Sequence, residues 1–112
     1  MAFEKHDTPR YTHVVYSRES FADIEVLRRD LANFLAKAPR DRDIVFELAG
    51  LRHISSLEIS LITMISNAFK DTEHTVHVIA LPEIKKTLEL TGISKLERLE
   101  IHEGWQKIHQ AP

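Results

Sequence analysis

Segments with strand character alternate with segments with helix character along the 112 residues, and this alternation limits the folds open to the chain. Strands rich in β-branched and aromatic residues are predicted at 11–17, 43–48, 75–81 and 96–102, with a short edge strand at 3–6. Apolar periodicity predicts helices at 24–38, 56–70, 82–91 and 104–109. Alternation of this kind indicates a single α/β domain over residues 1–112, with a mostly parallel sheet of four or five strands and about four helices.

Local end signals set the expected helix boundaries. Ser20 followed by Asp23 predicts an N-cap and an acidic third position for the first helix, and Pro39 marks its end. Pro82 stands where a helix would begin, because a missing N–H costs nothing at that position. Gly92 is the expected residue just after the end of that helix.

Composition excludes several classes of function. Fifteen basic and seventeen acidic residues give a net charge of −2, whereas a nucleic-acid-binding domain needs a basic surface. The absence of cysteine rules out disulfides, thiolate metal sites and cysteine nucleophiles. Three glycines cannot build a Walker or Rossmann phosphate loop. No apolar run approaches the ~20 residues that cross a bilayer, and the charged N-terminus does not read as a signal peptide, so a cytoplasmic protein without membrane contact is expected.

The seven histidines do not follow a known metal-ligand spacing, so no metal or other cofactor is expected. His74 and His77 lie three positions apart at a predicted strand, which should place their side chains on opposite faces. Ser56 has His53 nearby but no orienting acid and no Gly-x-Ser-x-Gly elbow. A catalytic function is therefore not expected, and His53 is expected to sense charge or to contact a phosphate.

The segment 51–65 carries the most functional information. Ser55 and Glu58 fit a capping box, which makes Ser56 the first residue of the helix. A side chain at that position points outward, beside free backbone N–H groups at the positive end of the helix. A phosphate on Ser56 would be tolerated there and would add about two negative charges to the surface.

One residue of this helix lies outside its apolar face. Ile59 falls on the polar side, where it is either a contact for a partner or an ordinary isolated apolar residue. The apolar arc itself comprises Leu57, Leu61, Ile62, Met64, Ile65, Ala68 and Phe69.

These patterns together resemble the STAS domain, the fold of bacterial anti-sigma factor antagonists, from about residue 11 to residue 108. The second half of the family pattern matches in the run Ile84-Lys-Lys-Thr-Leu-Glu-Leu-Thr-Gly92, followed by Ile93-Ser-Lys-Leu96. The strand 43–48 and the pair Gly50-Leu51 match in kind. The resemblance implies a STAS-type mixed sheet.

The family's phosphoacceptor motif, Asp-Ser-(Ser/Thr)-Gly-Leu-Gly, is only partly kept. Ser56 falls on the serine that the family phosphorylates. The neighbouring motif positions all differ from the family pattern: they are Ser55 for the aspartate, Leu57 for the second hydroxyl residue, Glu58 and Ser60 for the glycines, and Ile59 for the leucine. The altered surroundings change how closely the backbone of a partner can approach.

The resemblance implies a non-enzymatic regulator of partner switching. Such a domain binds a serine kinase of the GHKL class, classically an anti-sigma factor, and is released when Ser56 is phosphorylated. A PP2C-type phosphatase restores the complex. The residues expected to contact the partner are His53, Ser55, Leu57, Glu58 and Ile59.

The variant motif on a free-standing domain is also similar to single-domain STAS regulators of polysaccharide and biofilm loci. The resemblance therefore implies biofilm or stress signalling as the output, beside the family's usual sigma-factor pathway. Two alternatives stay open at this point. The first is a STAS module that binds a small molecule, a nucleotide or a lipid, and the second is a constitutive scaffold subunit.

Overall fold

The computed structural model describes residues 3–18, 23–48 and 50–109. Within these residues five strands, four α-helices and one short 3₁₀ helix follow one another along the chain. In order they are β1 (Phe3–Asp7), β2 (Tyr11–Tyr16), α1 (Ile24–Lys37), β3 (Asp43–Leu48), α2 (Ser56–Phe69), β4 (Val76–Ile79), α3 (Pro82–Leu90), the 3₁₀ helix (Ile93–Lys95), β5 (Leu99–His102) and α4 (Gln106–His109).

The five strands form one mixed sheet in the order β1-β2-β3-β4-β5, the same order as in the sequence. β1 pairs antiparallel with β2, and the three remaining pairs are parallel. The predicted α/β architecture, with a mostly parallel sheet and four helices, is confirmed. Parallel strands bring their carboxyl ends to one edge of the sheet, and the start of α2 follows the carboxyl end of β3.

The main core lies between one face of the sheet and the helices α1, α2 and α3. Alternate residues of β3 point into it, namely Ile44, Phe46 and Leu48, while Leu61 and Ile62 of α2 cover them. All five are almost fully buried. At about 1.5–3 kcal/mol for each fully buried apolar side chain, this layer is the main source of stability.

The opposite face of the sheet is covered much less. A small second cluster joins Val45 of β3 and Ile79 of β4 to Ile108 of α4. The indole ring of Trp105 packs against the ring of Tyr11 at a centroid distance of 5.7 Å. The inward packing predicted for Trp105 and Ile108 is confirmed, and most other residues of this face are polar.

Several predicted boundaries change in the structure, and β4 is shortened from the predicted 75–81 to Val76–Ile79. The N-cap of α1 is Asp23, whose carboxylate accepts a hydrogen bond from the backbone N–H of Glu25 at 2.8 Å. The predicted N-cap Ser20 lies outside the described residues. The last strand is shorter than the predicted 96–102, because the 3₁₀ helix and the left-handed backbone of Arg98 (φ 68°) precede it.

Other boundaries agree with the prediction. β3 covers the predicted residues, and α3 begins at Pro82. Gly92 follows α3 with a φ of 83°, in the left-handed region that glycine adopts readily. None of the helices in the described part of the chain is long and apolar enough to span a membrane.

Candidate functional site

The candidate site is the start of α2, where the chain leaves β3 and turns back over the sheet. Gly50 follows β3 with a φ of 64°, and Leu51 is buried under the loop. The loop ends at Ser55, whose extended backbone (φ −110°, ψ 172°) makes it the N-cap. Ser56 is the first helical residue and its side chain is exposed, as the sequence predicts.

A capping box fixes the first turn of α2. The Ser55 Oγ accepts a hydrogen bond from the N–H of Leu57 at 3.2 Å. In return, Oε1 of Glu58 accepts from the backbone N–H of Ser55 at 2.8 Å and from its hydroxyl at 2.7 Å. The predicted capping box is confirmed. It satisfies donors that a helix start would otherwise leave unpaired.

Glu58 also ties α2 to the end of β2. Its side chain is 0% exposed, and its second carboxylate oxygen accepts a hydrogen bond from the hydroxyl of Tyr16 at 2.8 Å. The guanidinium of Arg18 donates to Oε1 of Glu58 and, at 3.0 Å, to the backbone carbonyl of His53. Tyr16, Arg18 and Glu58, together with Ser55, are called the Glu58 network below. The network joins β2, the loop before α2 and the helix itself.

The charges inside this network compensate one another. Burial alone would raise the pKa of Glu58, but hydrogen bonds from Arg18, Ser55 and Tyr16 outweigh it and hold that pKa below its usual value. Burial, together with the hydrogen bond to Glu58 and its charge, raises the pKa of Tyr16 to about 12. The hydrogen bond to Glu58 raises the pKa of Arg18. At neutral pH Glu58 is therefore an anion paired with Arg18, and Tyr16 is a neutral donor.

Three of the residues singled out by sequence are open to solvent. Ser55, Ser56 and His53 are all exposed. They lie within four positions of one another, at the end of the sheet where β3 finishes. The structure therefore brings together a small polar surface around the hydroxyl of Ser56.

The other predicted contact residues lie deeper. Leu57 and Ile59 are half-buried and pack against the main core. Glu58 has no exposed surface. The expectation that Glu58 contacts a partner directly is therefore corrected, because its carboxylate is used to hold the helix start from within.

The Glu58 network was not predicted from the sequence, although the sequence contains one local signal for it. Glu58 stands three, four and seven positions before Leu61, Ile62 and Ile65, which places a carboxylate on the apolar arc of α2. A charged residue on such an arc needs a partner inside the fold. The identity of that partner, Tyr16, depends on packing between elements 42 positions apart.

The histidines also come together in a way that the sequence did not indicate. His74 and His77 both reach the carboxylate of Asp43, at 3.3 Å and 2.9 Å, and His77 lies 3.0 Å from His102. The prediction that His74 and His77 face opposite sides is wrong because His74 precedes β4 and does not follow its alternation. In the described residues no group of three or more His, Asp or Glu side chains is placed to hold a metal ion.

Two solved structures match nearly the whole chain. An anti-sigma-factor antagonist (STAS) domain protein from Planctomyces limnophilus is similar with a TM-score of 0.72 over 96% of this chain and 95% of that chain, at 15% sequence identity. This chain has the STAS fold. An anti-sigma factor antagonist from Mycobacterium paratuberculosis is also similar to this chain, with a TM-score of 0.67 and 18% sequence identity. The match covers 94% of this chain and 87% of that chain. No family model and no curated protein matches the sequence.

Proposed function

We propose that this STAS-fold chain is a non-enzymatic regulator that binds a protein partner while Ser56 is unphosphorylated and releases it when Ser56 is phosphorylated. The observation that carries the proposal is the exposed hydroxyl of Ser56 at the first position of α2. Both solved neighbours are described as anti-sigma-factor antagonists, which supports a regulatory role on this fold.

The electrostatics of the helix start favour a switch of this kind. The first turn of a helix carries partial positive charge, so a phosphate on Ser56 would not disrupt α2. The Glu58 network holds the same turn from inside, through Tyr16 and Arg18. Phosphorylation would therefore change the charge of the surface while the fold stays intact.

A partner would sense that change strongly. Docking over Ser56 removes water from the surface that includes Ser55 and His53. Burying a dianion without a pairing charge costs several kcal/mol, and each ~1.4 kcal/mol lowers affinity tenfold. One phosphate is thus enough to dissolve the complex. Leu57 and Ile59, which are half-buried, would add apolar contact at the margin of the interface.

The partners in this proposal are a GHKL-type serine kinase that acts as an anti-sigma factor and a PP2C-type phosphatase that regenerates the binding state. They would meet the chain in the cytoplasm, with biofilm or stress signalling as the output. The changed residues around Ser56 would make the kinase specific to this variant motif.

The first test is mass spectrometry of the protein purified from its native host, with mapping of any phosphate. We expect phosphate on Ser56. The second test measures partner capture from the host lysate with Ser56→Ala and Ser56→Asp as baits. Ser56→Ala should capture the kinase as the wild type does, and Ser56→Asp should lose at least 90% of it, a tenfold effect or more.

A matched control places the same charge at the opposite end of the sheet. Ser94 is an exposed serine in the 3₁₀ helix before β5, so Ser94→Asp should capture the partner normally. Absence of phosphate on Ser56 under growth and stress, with equal capture by both Ser56 variants, would refute the switch. That result would favour a ligand-binding module or a constitutive scaffold.

A further inference from the structure

A chain of hydrogen-bonded side chains crosses three strands on the sheet face opposite α1, α2 and α3. The carboxylate of Asp43 (β3) lies 2.9 Å from Nε2 of His77 (β4), and Nδ1 of His77 lies 3.0 Å from Nε2 of His102 (β5). The two imidazole rings stack at a centroid distance of 5.2 Å. His102 is only 8% exposed. We call these three residues the relay.

Hydrogen-bond chemistry fixes the position of each proton in the neutral relay. Asp43 also accepts from the backbone N–H of Thr75 at 2.9 Å; burial raises its pKa, but these hydrogen bonds outweigh that effect and lower it. An ionised carboxylate only accepts, so Nε2 of His77 carries a hydrogen. Neutral His77 must then accept at Nδ1, and His102 must donate from Nε2. Neutral His102 consequently has no hydrogen on Nδ1.

One added proton changes Nδ1 of His102 from a hydrogen-bond acceptor into a donor. If the charge resides on His77, His102 accepts at Nε2 and holds its hydrogen on Nδ1. If the charge resides on His102, both of its nitrogens carry hydrogen. Nδ1 of His102 is a donor in either case. A second proton would set two N–H groups against each other across 3.0 Å, so the pair accommodates one.

The far end of the relay borders a pocket. His102 lines a cavity of about 280 Å³ together with Lys85 of α3 and Lys107 of α4, and the same three residues border an adjoining cavity of about 300 Å³. Burial and the charge of His77 lower the pKa of His102, the charge of Glu100 opposes them, and the charges of Lys107 and Lys85 lower that pKa further. Within the described residues no group hydrogen-bonds to Nδ1 of His102.

The charges that line the first cavity favour an anion there. Lys85 and Lys107 outnumber Glu103, the single acid of that cavity, whereas Glu89 and Glu100 balance the same two lysines in the adjoining cavity. The titratable groups that face the relay or the two cavities are Asp43, His74, His77, Lys85, Glu89, Glu100, His102, Glu103 and Lys107.

We propose that the first cavity binds a small oxyanion of the sulfate or phosphate type, and that binding is coupled to the uptake of one proton by the His77–His102 pair. The protonated pair donates from Nδ1 of His102, and Lys85 and Lys107 supply the remaining positive charge. The neutral pair presents a lone pair instead and repels the anion. This site is independent of the switch proposed at Ser56.

Sulfate is the probe of choice, because it stays a dianion across the neutral range and any pH dependence then belongs to the protein. Titrations followed by ¹H–¹⁵N NMR between about pH 6 and pH 8 should show affinity that falls as the pH rises and approaches a tenfold loss per pH unit, the limiting slope for one linked proton. The ¹⁵N shift of His102 Nδ1 should change from the unprotonated to the protonated value on binding. Saturable binding without either change would overturn the coupling.

Variants separate the relay from simple attraction by surface lysines. His102→Gln should bind sulfate more weakly, and its affinity should no longer depend on pH. Lys107→Ala should weaken sulfate binding about tenfold but keep the pH dependence of the affinity. His6→Gln is the matched control, because His6 is exposed on β1 and lines neither cavity, so this variant should keep both the affinity and its pH dependence. Equal, pH-independent binding by the wild type and His102→Gln, or no saturable binding, would refute the site. Because Lys107 is exposed, its variant should fold even if His102→Gln does not.

Competition against bound sulfate identifies the source of the anion. Inorganic phosphate represents the free ion, and phenyl phosphate represents a phosphate group on a larger molecule. Competition by either supports the pocket, and competition by neither overturns the assignment to tetrahedral oxyanions.

Discussion

Replacing Glu58 with glutamine keeps the shape of a fully buried side chain and removes its charge. The carboxylate accepts hydrogen bonds from Tyr16, from Arg18 and from both the N–H and the hydroxyl of Ser55. The single carbonyl oxygen of glutamine can take the place of Oε1. Its NH₂ group then faces the hydroxyl of Tyr16, which previously donated to the carboxylate. The Tyr16 hydroxyl must turn round, and its own hydrogen loses its acceptor.

The expected cost follows from these contacts. A buried donor left without a partner costs about 1–3 kcal/mol, and hydrogen bonds to Oε1 lose about half their strength when the charge is removed. The Arg18 contribution is discounted, because its side chain is 41% exposed and screened by water. The total is about 2–4 kcal/mol, a large part of the 5–15 kcal/mol that stabilises a domain of this size.

Urea denaturation at two pH values tests this reasoning. The folded pKa of Glu58 is depressed, so its contribution is fully present above the unfolded value of about 4.3 and is lost as the pH falls through the folded value. The gap in unfolding free energy between the wild type and Glu58→Gln should be full at pH 7 and should shrink below about pH 4.

Glu89→Gln provides the control, because Glu89 is exposed on α3 and its change should stay within about 0.5 kcal/mol. If Glu58→Gln matches the wild type at pH 7, the Glu58 network does not stabilise the start of α2 as described. A gap of constant size at all pH values would show that shape, and not charge, is responsible.

Three further substitutions probe other parts of the fold. Phe46→Ala opens a cavity in the fully buried core and should lower the unfolding free energy by about 3–5 kcal/mol in urea; a loss below 1 kcal/mol would contradict its central position. Gly92→Ala should lower the unfolding free energy by about 1–2 kcal/mol, because a φ of 83° strains any residue with a side chain, although a Cβ there would meet no atom within 4 Å. A thermal melt measures this change, and an unchanged melting temperature would refute it. Asp43→Asn should have a lower unfolding free energy than the wild type at neutral pH. Because the pKa of Asp43 is depressed in the folded protein, this difference in unfolding free energy should close as the pH falls through the folded pKa. A difference that widens at low pH would refute the stabilising role of the Asp43 carboxylate.

Local patterns were enough to predict most elements and the geometry around Ser56. The strand Asp43–Leu48 and the Ser55–Glu58 capping box are written in consecutive residues, and the structure contains both. The first residue of α2 follows from the same box. Periodicity and capping depend on neighbours a few positions apart, so the sequence carries them directly.

Long-range contacts were not predictable in the same way. The hydrogen bond between His77 and His102 joins residues 25 positions apart and depends on the register of β4 against β5. The N-cap residue of α1 was misassigned for a different reason. Ser20 and Asp23 are both good N-cap residues, and the local pattern does not choose between them.

The order of the strands bears on how the protein forms during synthesis. Every strand lies next to the strand made just before it, so each pairing partner is already present when a new strand leaves the ribosome. The loops to be closed are those of single connections, which keeps their entropic cost small. Assembly can therefore advance in one direction, from the β1–β2 hairpin towards β5. The edge that carries His102 is the last to be completed, and until then β4 offers an open edge to other chains.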